Sequence, residues 1–383
     1  MEWEFARQCC DAEVYLTLGE ICSRTLHLQC WDSLRPIGSA VYFSVPYLLG
    51  ISPKFIIVMN FLLLALSVYL GNKAVGETYS FTHWNNLYVR YAIVTLPHLV
   101  FMYDAAWNAL SDVPAACFAL IGIWFLILGI KKAKVWLYAI SGLSLGLAAF
   151  IRAFYLYPVL LTALCIMIAF VYYKFQPRIG VVFFIAMLGI PILYQFQSTY
   201  RHTGQWSYLN EAATAPETEI HFTRPQYGYD TVSMAPYPYD ASNCFKEPGG
   251  LKGAVQNKDL YGILCIFVKR QTFYFESHAF PFNQVYLLSP NERVFSPLIL
   301  ILHGAVLAWV FYFVWHSKVK SLFFIPAVLI GSIWMEGTLI RPESRYLMVL
   351  YVFLWVYGLW GAYFYLCRYL EQRSIRIHGV RGS

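Results

Sequence analysis

The sequence predicts an all-α polytopic membrane protein with about nine transmembrane helices, and three observations predict it. Only 13% of the 383 residues are charged, against roughly 25% in soluble proteins, too few to wet a surface of this size. Aromatic residues make up 19%, which suits rings lying in an interfacial belt. Apolar runs of about 17–25 residues recur along the chain, the length a spanning helix needs. Mean hydropathy is +0.52. The net charge of +7 is spread in short clusters between apolar runs, so a nucleic-acid partner is excluded in favour of membrane orientation.

The spans are expected near Lys54–Asn72, Tyr88–Tyr103, Asp112–Ile130, Val135–Ile151, Phe154–Tyr173, Ile179–Phe196, Ser296–Trp315, Leu322–Leu339 and Tyr346–Leu366. They divide the chain into a juxtamembrane segment 1–53, a first bundle 54–196, a long loop 197–295, C-terminal spans 296–367 and a basic tail 368–383. Loops of such length are uncommon unless functional. Lys131, Lys132 and Lys134, Lys174 with Arg178, Lys318 with Lys320, and the tail residues Arg368, Arg373, Arg376 and Arg381 all fall on one side. The positive-inside bias makes that side cytoplasmic. Residues 1–53, Phe101–Asp112, Arg152, the long loop and Arg341–Arg345 are then outside. Pro36–Leu49 is short and broken by Pro46, so it is expected to lie at the interface or re-enter; Val268–Phe275 is likewise placed at the interface. An odd number of spans with the C-terminus inside leaves residues 1–53 outside with nothing to carry them there. The expectation is a late start in the gene model or a lost first helix.

The nine cysteines show no CxxC and no ligand spacing with histidine. Their odd number, with several inside apolar runs, argues against a disulfide framework or a zinc site. They read as small packing residues.

Acids and bases gather on the outer side. Val14, Leu18, Ile21 and Thr25 share one face of a helix, with Asp11 and Tyr15 on its edge four residues apart. Asp11 either stands at a water–lipid boundary as a functional acid or caps this helix, with Glu13 and Glu20 as its solvated face. Ser111 or Asp112 can cap the helix that carries Pro114 in its first turn, or Asp112, with Asp104, can line an acidic cleft with Asp11. Arg152 and the hairpin Arg341-Pro342-Glu343-Ser344-Arg345-Tyr346 are cations on the side that normally lacks them. A guanidinium suits bidentate phosphate recognition; pairing with Glu336, Glu343 or lipid headgroups is the structural alternative. No GxxxxGK[ST], strand-borne GxGxxG, HExxH or nucleotide-sugar DxD occurs, leaving nucleotide hydrolysis, dinucleotide binding and zinc proteolysis without support. A donor that needs no nucleotide-binding domain fits better, such as a sugar on a polyprenyl phosphate.

The order Asp11-x-x-x-Tyr15-Leu16-x-Leu18, Leu34-Arg35-Pro36-x-Gly38, Leu110-Ser111-Asp112-Val113-Pro114-Ala115, Gly142-x-x-x-Gly146-Leu147-Ala148-x-x-x-Arg152 and Arg345-Tyr346 resembles the C-type (GT-C) membrane glycosyltransferases. That group includes the dolichyl-phosphate-mannose protein mannosyltransferases and the bacterial lipid A aminoarabinose transferases. The resemblance runs from about Asp11 to Arg368 and implies a GT-C-like fold lacking its first helix. It implies inverting transfer from a polyprenyl-phosphate sugar donor to a glycan, lipid or protein acceptor on the non-cytoplasmic side. Asp11 would be the general base, and Asp112 and Asp104 would orient acceptor or sugar. Arg152, Arg341 and Arg345 would hold the phosphate, with Tyr15 and Tyr346 supporting them. Asp11-Ala12-Glu13 departs from the adjacent Asp-Glu of many relatives, and no soluble domain follows the last span. No cofactor is called for, a divalent metal being the one optional addition. The other readings are a transporter or flippase of a lipid-linked sugar, and a degenerate, non-catalytic membrane protein. The expected home is a multi-pass protein of a bacterial inner membrane rather than the ER, among membrane lipids.

Overall fold

The structure, a computed structural model, describes residues 10–25, 35–78, 87–107, 110–173, 178–210, 250–265, 267–268, 296–316, 327–335 and 348–380. Every regular element among the described residues is helical. In chain order they are α1 (Cys10–Thr25), α2 (Ile37–Leu48), α3 (Phe55–Thr78), α4 (Leu87–Ala106), α5 (Asp112–Lys132) and α6 (Val135–Ile151). A 3-10 turn (Ala153–Tyr155) leads to α7 (Leu156–Tyr173) and α8 (Arg178–Thr203), then α9 (Gly250–Gln256), α10 (Ser296–His316) and α11 (Met348–Val380). Four helices, α3, α5, α8 and α11, are long and apolar enough to cross a membrane. Four other expected spans fall on the shorter apolar helices α4, α6, α7 and α10. Of the ninth, Leu322–Leu339, residues 327–335 are described and helical. The chain is an all-α membrane protein.

α5 is the enclosed helix: 83% of its apolar window is buried, against 39% for α3 and for α8. It packs between α3 and α6, and α6 packs in turn on α8. Small residues allow this closeness, as between membrane helices generally. A Cβ at Gly142 would run into the Phe184 carbonyl, and one at Gly146 would lie 2.7 Å from the Leu188 carbonyl oxygen. A Cβ at Gly122 would stand 2.7 Å from the Leu145 side chain. The glycines that carry the sequence motif on α6 therefore set its distance from α8.

The bundle has two chemically different ends. At one, Lys132 Nζ pairs with Glu77 Oε1 at 2.7 Å, joining the ends of α5 and α3. At the other meet the starts of α3 and α5 and the ends of α4, α6 and α8. α2 lies across this second end. Its 12 residues reach only about 18 Å at 1.5 Å each, short of the roughly 30 Å of a bilayer core. Tyr42 donates to Asn60 Oδ1 at 2.9 Å, and Asn60 Nδ2 donates to the Ala106 carbonyl at 3.1 Å.

α1 lies on α2. Its packed side is Tyr15, Gly19 and Cys22, one residue out of phase with the apolar stripe Val14–Leu18–Ile21–Thr25. The close approach decides this. A Cβ at Gly19 would come within 2.5 Å of the Phe43 carbonyl oxygen, and the Tyr15 ring stacks on Phe43 at 5.2 Å. Ile21, on the expected stripe, is exposed.

The reading of the cysteines as packing residues requires correction. Cys22 and Cys265 are each disulfide-bonded, whereas Cys117, Cys165 and Cys367 are free. Both bonded cysteines lie in the segments 1–53 and 197–295; the free ones lie in α5, α7 and α11.

Two outcomes are expected. Gly142→Leu lowers stability by about 1–3 kcal/mol through overpacking, measured by denaturant titration in detergent. Gly189→Ala on α8 shows no such loss, because its Cβ would meet only Leu193 at 4.0 Å. In the denatured, unreduced chain, maleimide labelling read by mass spectrometry modifies Cys117, Cys165 and Cys367. Cys22 and Cys265 label only after reduction.

Candidate functional site

Three separate pieces of chain converge at the α2-covered end. The helical run of α6 stops at Ile151, and Arg152 takes an extended conformation (φ −138°, ψ 115°) before the 3-10 turn. This break turns the Arg152 side chain back across the end of the bundle. Its Nη1 donates to the Tyr15 hydroxyl at 2.7 Å and to Ser111 Oγ at 2.9 Å. Its Nη2 lies 3.3 Å from Asp112 Oδ1. Ser111 Oγ donates to the Tyr15 hydroxyl at 2.9 Å. The group is buried: Asp112 is 2% exposed, Tyr15 3% and Arg152 9%.

Each residue reaches this place for a local reason. Asp112 is the first residue of α5, where the unpaired amide dipoles favour a carboxylate. Pro114 sits in the same first turn, as expected. Ser111 occupies the cap position with helical dihedrals (φ −72°, ψ −10°) and makes no side-chain cap bond. Its hydroxyl is spent on Tyr15, which corrects the capping reading for Ser111. Tyr15 comes from α1, held by the stack on Phe43. Arg35, just before α2, places its guanidinium carbon 5.3 Å from the centroid of the Tyr15 ring, a cation–π arrangement. The Tyr15 hydroxyl thus accepts from Arg152 and Ser111 while its ring face receives Arg35.

Beneath this cluster lies a second polar hub. Gln195 Oε1 accepts the Ile37 amide at 2.8 Å, and Gln195 Nε2 donates to the Tyr208 carbonyl at 2.8 Å. Tyr208 donates its hydroxyl proton to the Ala149 carbonyl at 2.7 Å. Burial pushes the Tyr208 phenol far above its ordinary range, so it remains a donor across the workable pH range. This hub fixes the chain two residues after Arg35 and three before Arg152.

Of the residues singled out from sequence, Tyr15, Asp112 and Arg152 are brought together. Asp11 lies in the first turn of α1, one turn before Tyr15, and Asp104 in the last turn of α4; their side chains lie outside what is described. Arg341, Arg345 and Tyr346 fall outside the described residues. Asp112, 40 positions earlier in the chain, is the carboxylate that pairs with Arg152. Gln195 and Tyr208 had no role in the sequence reading. They carried no signal because their side chains' partners distant in sequence are backbone groups.

No family model, curated protein or solved structure matches the chain.

The geometry makes a stability prediction. Arg152→Met leaves Asp112 buried without its cation and costs about 3–5 kcal/mol. Pairing it with Asp112→Leu restores most of that loss, since a well-packed apolar pair replaces a buried ion pair at little cost. Tyr15→Phe, which removes an acceptor from a charged donor, costs about 1.5–3 kcal/mol. Denaturant titrations of the four proteins check this, and a double variant as weak as Arg152→Met removes the pairing argument.

Proposed function

We propose that the chain is an inverting glycosyltransferase that moves a sugar from a polyprenyl-phosphate donor to an acceptor. The observation that carries the reading is the junction of Tyr15, Ser111, Asp112 and Arg152, from α1, α5 and the break after α6, at one end of an apolar bundle. Buried charge at that end has no need to exist for packing alone, because an apolar substitute packs as well or better. Its value lies in holding polar groups in fixed positions where a lipid-borne substrate meets water.

In this reading Asp11, one helical turn from Tyr15, accepts the proton of the acceptor hydroxyl as that oxygen attacks the anomeric carbon. The bond between that carbon and the donor phosphate oxygen breaks. The electron pair leaves with the polyprenyl phosphate, and configuration inverts. Asp112 orients the sugar or acceptor, with Asp104 contributing from the end of α4. Arg152 is enclosed by Tyr15, Ser111 and Asp112, so its principal task is to hold Asp112 and Tyr15 in register. Its charge reaches the leaving phosphate through a short, water-poor distance, where electrostatics are strong. Arg35, half-buried over the Tyr15 ring, is the nearer phosphate contact, with Arg341 and Arg345 completing the set. The full complement of about nine spans and the GT-C arrangement belong to this proposal.

The cysteines support a compartment for the site. Disulfides persist in oxidising surroundings, and the bonded Cys22 and Cys265 lie in the two segments assigned to the non-cytoplasmic side. The site end then faces the periplasm, an organelle lumen or the exterior, opposite the Lys131–Lys134 end.

Proteoliposomes supplied with radiolabelled polyprenyl-phosphate mannose, glucose or aminoarabinose, together with a membrane extract as acceptor, test the proposal. One label moves onto an acceptor, and Asp11→Asn slows that transfer by about 10²–10⁴-fold, the usual worth of a general base, with insertion unchanged. Full transfer by Asp11→Asn ends this assignment.

A further inference from the structure

At the last turn of α8 an aromatic pair is held open. Tyr200 and Trp206 stack with centroids 4.9 Å apart and planes 22° from parallel, yet they remain 43% and 66% exposed. The turn between them is fixed at both ends. Gly204 takes φ +72° and donates its amide to the Tyr200 carbonyl at 2.8 Å, a glycine-closed helix end. The Gln205 amide is held by Thr203 Oγ1 at 3.2 Å, and Ser207 Oγ donates to the Leu209 carbonyl at 2.6 Å. Tyr208 is buried and tied through its carbonyl to Gln195 and Thr199 and through its hydroxyl to Ala149. Trp206 is therefore an exposed side chain on a fixed base.

Its height is also informative. On the bare side of α8, the exposed Ile190 and Leu193 give way to the exposed Gln197, and Tyr200 stands about one turn above Gln197. The pair thus sits at the headgroup level of the membrane, with the exposed Arg201 and Gln205 beside it. An indole already backed by a phenol loses little freedom when its open face is covered. A sugar ring fits such a face: its axial C–H groups pack on the ring, and its hydroxyls reach polar neighbours at the rim.

We infer that Tyr200 and Trp206 form a platform that stacks a sugar ring carried on a lipid headgroup, with Arg201 and Gln205 meeting its hydroxyls. The inference deepens the proposed transfer reaction by assigning a lipid-borne glycan as the substrate held at this rim. It rests on that reading for its purpose but not for its test, which involves no turnover. The polar hub also links the platform's base to Ile37 and Ala149, so a sugar held there is adjacent in the chain to the supports of Arg35 and Arg152.

The test uses the full chain labelled with 5-fluorotryptophan in nanodiscs, with the Trp206 fluorine signal assigned by its loss in Trp206→Phe. Adding a galactosyl diacylglycerol or a mannosyl polyprenyl phosphate shifts the Trp206 signal saturably. Soluble methyl glycoside competes, and Trp136, exposed at the opposite end, does not respond. Tyr200→Ala weakens the effect about 5–10-fold, the worth of one stacking contact. A signal that ignores glycosides, or that moves equally with sugar-free diacylglycerol or polyprenyl phosphate, makes the pair an interfacial anchor and overturns the inference. A chain that transfers sugar without this response loses only the platform. A chain that binds sugar here without transfer loses only the proposed reaction.

Discussion

One guanidinium organises the α2-covered end of this protein. Arg152 reaches Tyr15, Ser111 and Asp112 at once, and those residues belong to helices α1 and α5 and the turn into α5. Lysine, with a single ammonium on a flexible stem, presents no planar fork for three partners. The geometry exists because α6 stops one residue short of Arg152, so the side chain leaves the helix direction and crosses the bundle end. That crossing fixes α1 on α2, the start of α5 and the break before α7 as one unit.

The surrounding architecture serves this crossing. Gly142 and Gly146 bring α6 against α8, and Gly19 brings α1 against α2. The Gln195–Tyr208 hub then sets the height of the chain on both sides of the cluster. Charged groups inside an apolar bundle are costly unless paired. Here the pair is placed at the end of the bundle, where the amide dipoles of α5 offset part of the carboxylate's burial. The opposite end keeps its lysines at the rim, one of them joined to Glu77. The two ends thus differ chemically, one holding a buried ion pair and the other exposed lysines.

Much of this arrangement was legible in the sequence, and the exceptions are instructive. The apolar runs marked the helices, because bilayer thickness leaves few alternatives. The isolated Arg152 and the Leu-Ser-Asp-Val-Pro run announced themselves by being polar where polarity is expensive. Their pairing was hidden, since the contact joins residues 40 apart and no local rule relates them. The side of α1 that packs was also hidden: Gly19 and Tyr15 win over the stronger apolar stripe through close approach, which periodicity does not weigh. The cysteines misled for a different reason. Cys117, Cys165 and Cys367 lie in apolar helices and spoil the count, whereas segments 1–53 and 197–295 together hold Cys9, Cys10, Cys22, Cys30, Cys244 and Cys265. Divided by predicted side, the outer set is even, the count that a disulfide framework requires.

A cryo-electron microscopy structure of the chain in nanodiscs with bound polyprenyl monophosphate tests the central claim most directly. The account predicts phosphate density beside Arg35, with Arg152 still joined to Asp112 and the Asp11 carboxylate facing that phosphate. Phosphate bound at the Lys131–Lys134 end, or Asp11 turned away from the Tyr15–Asp112 cluster, would contradict it.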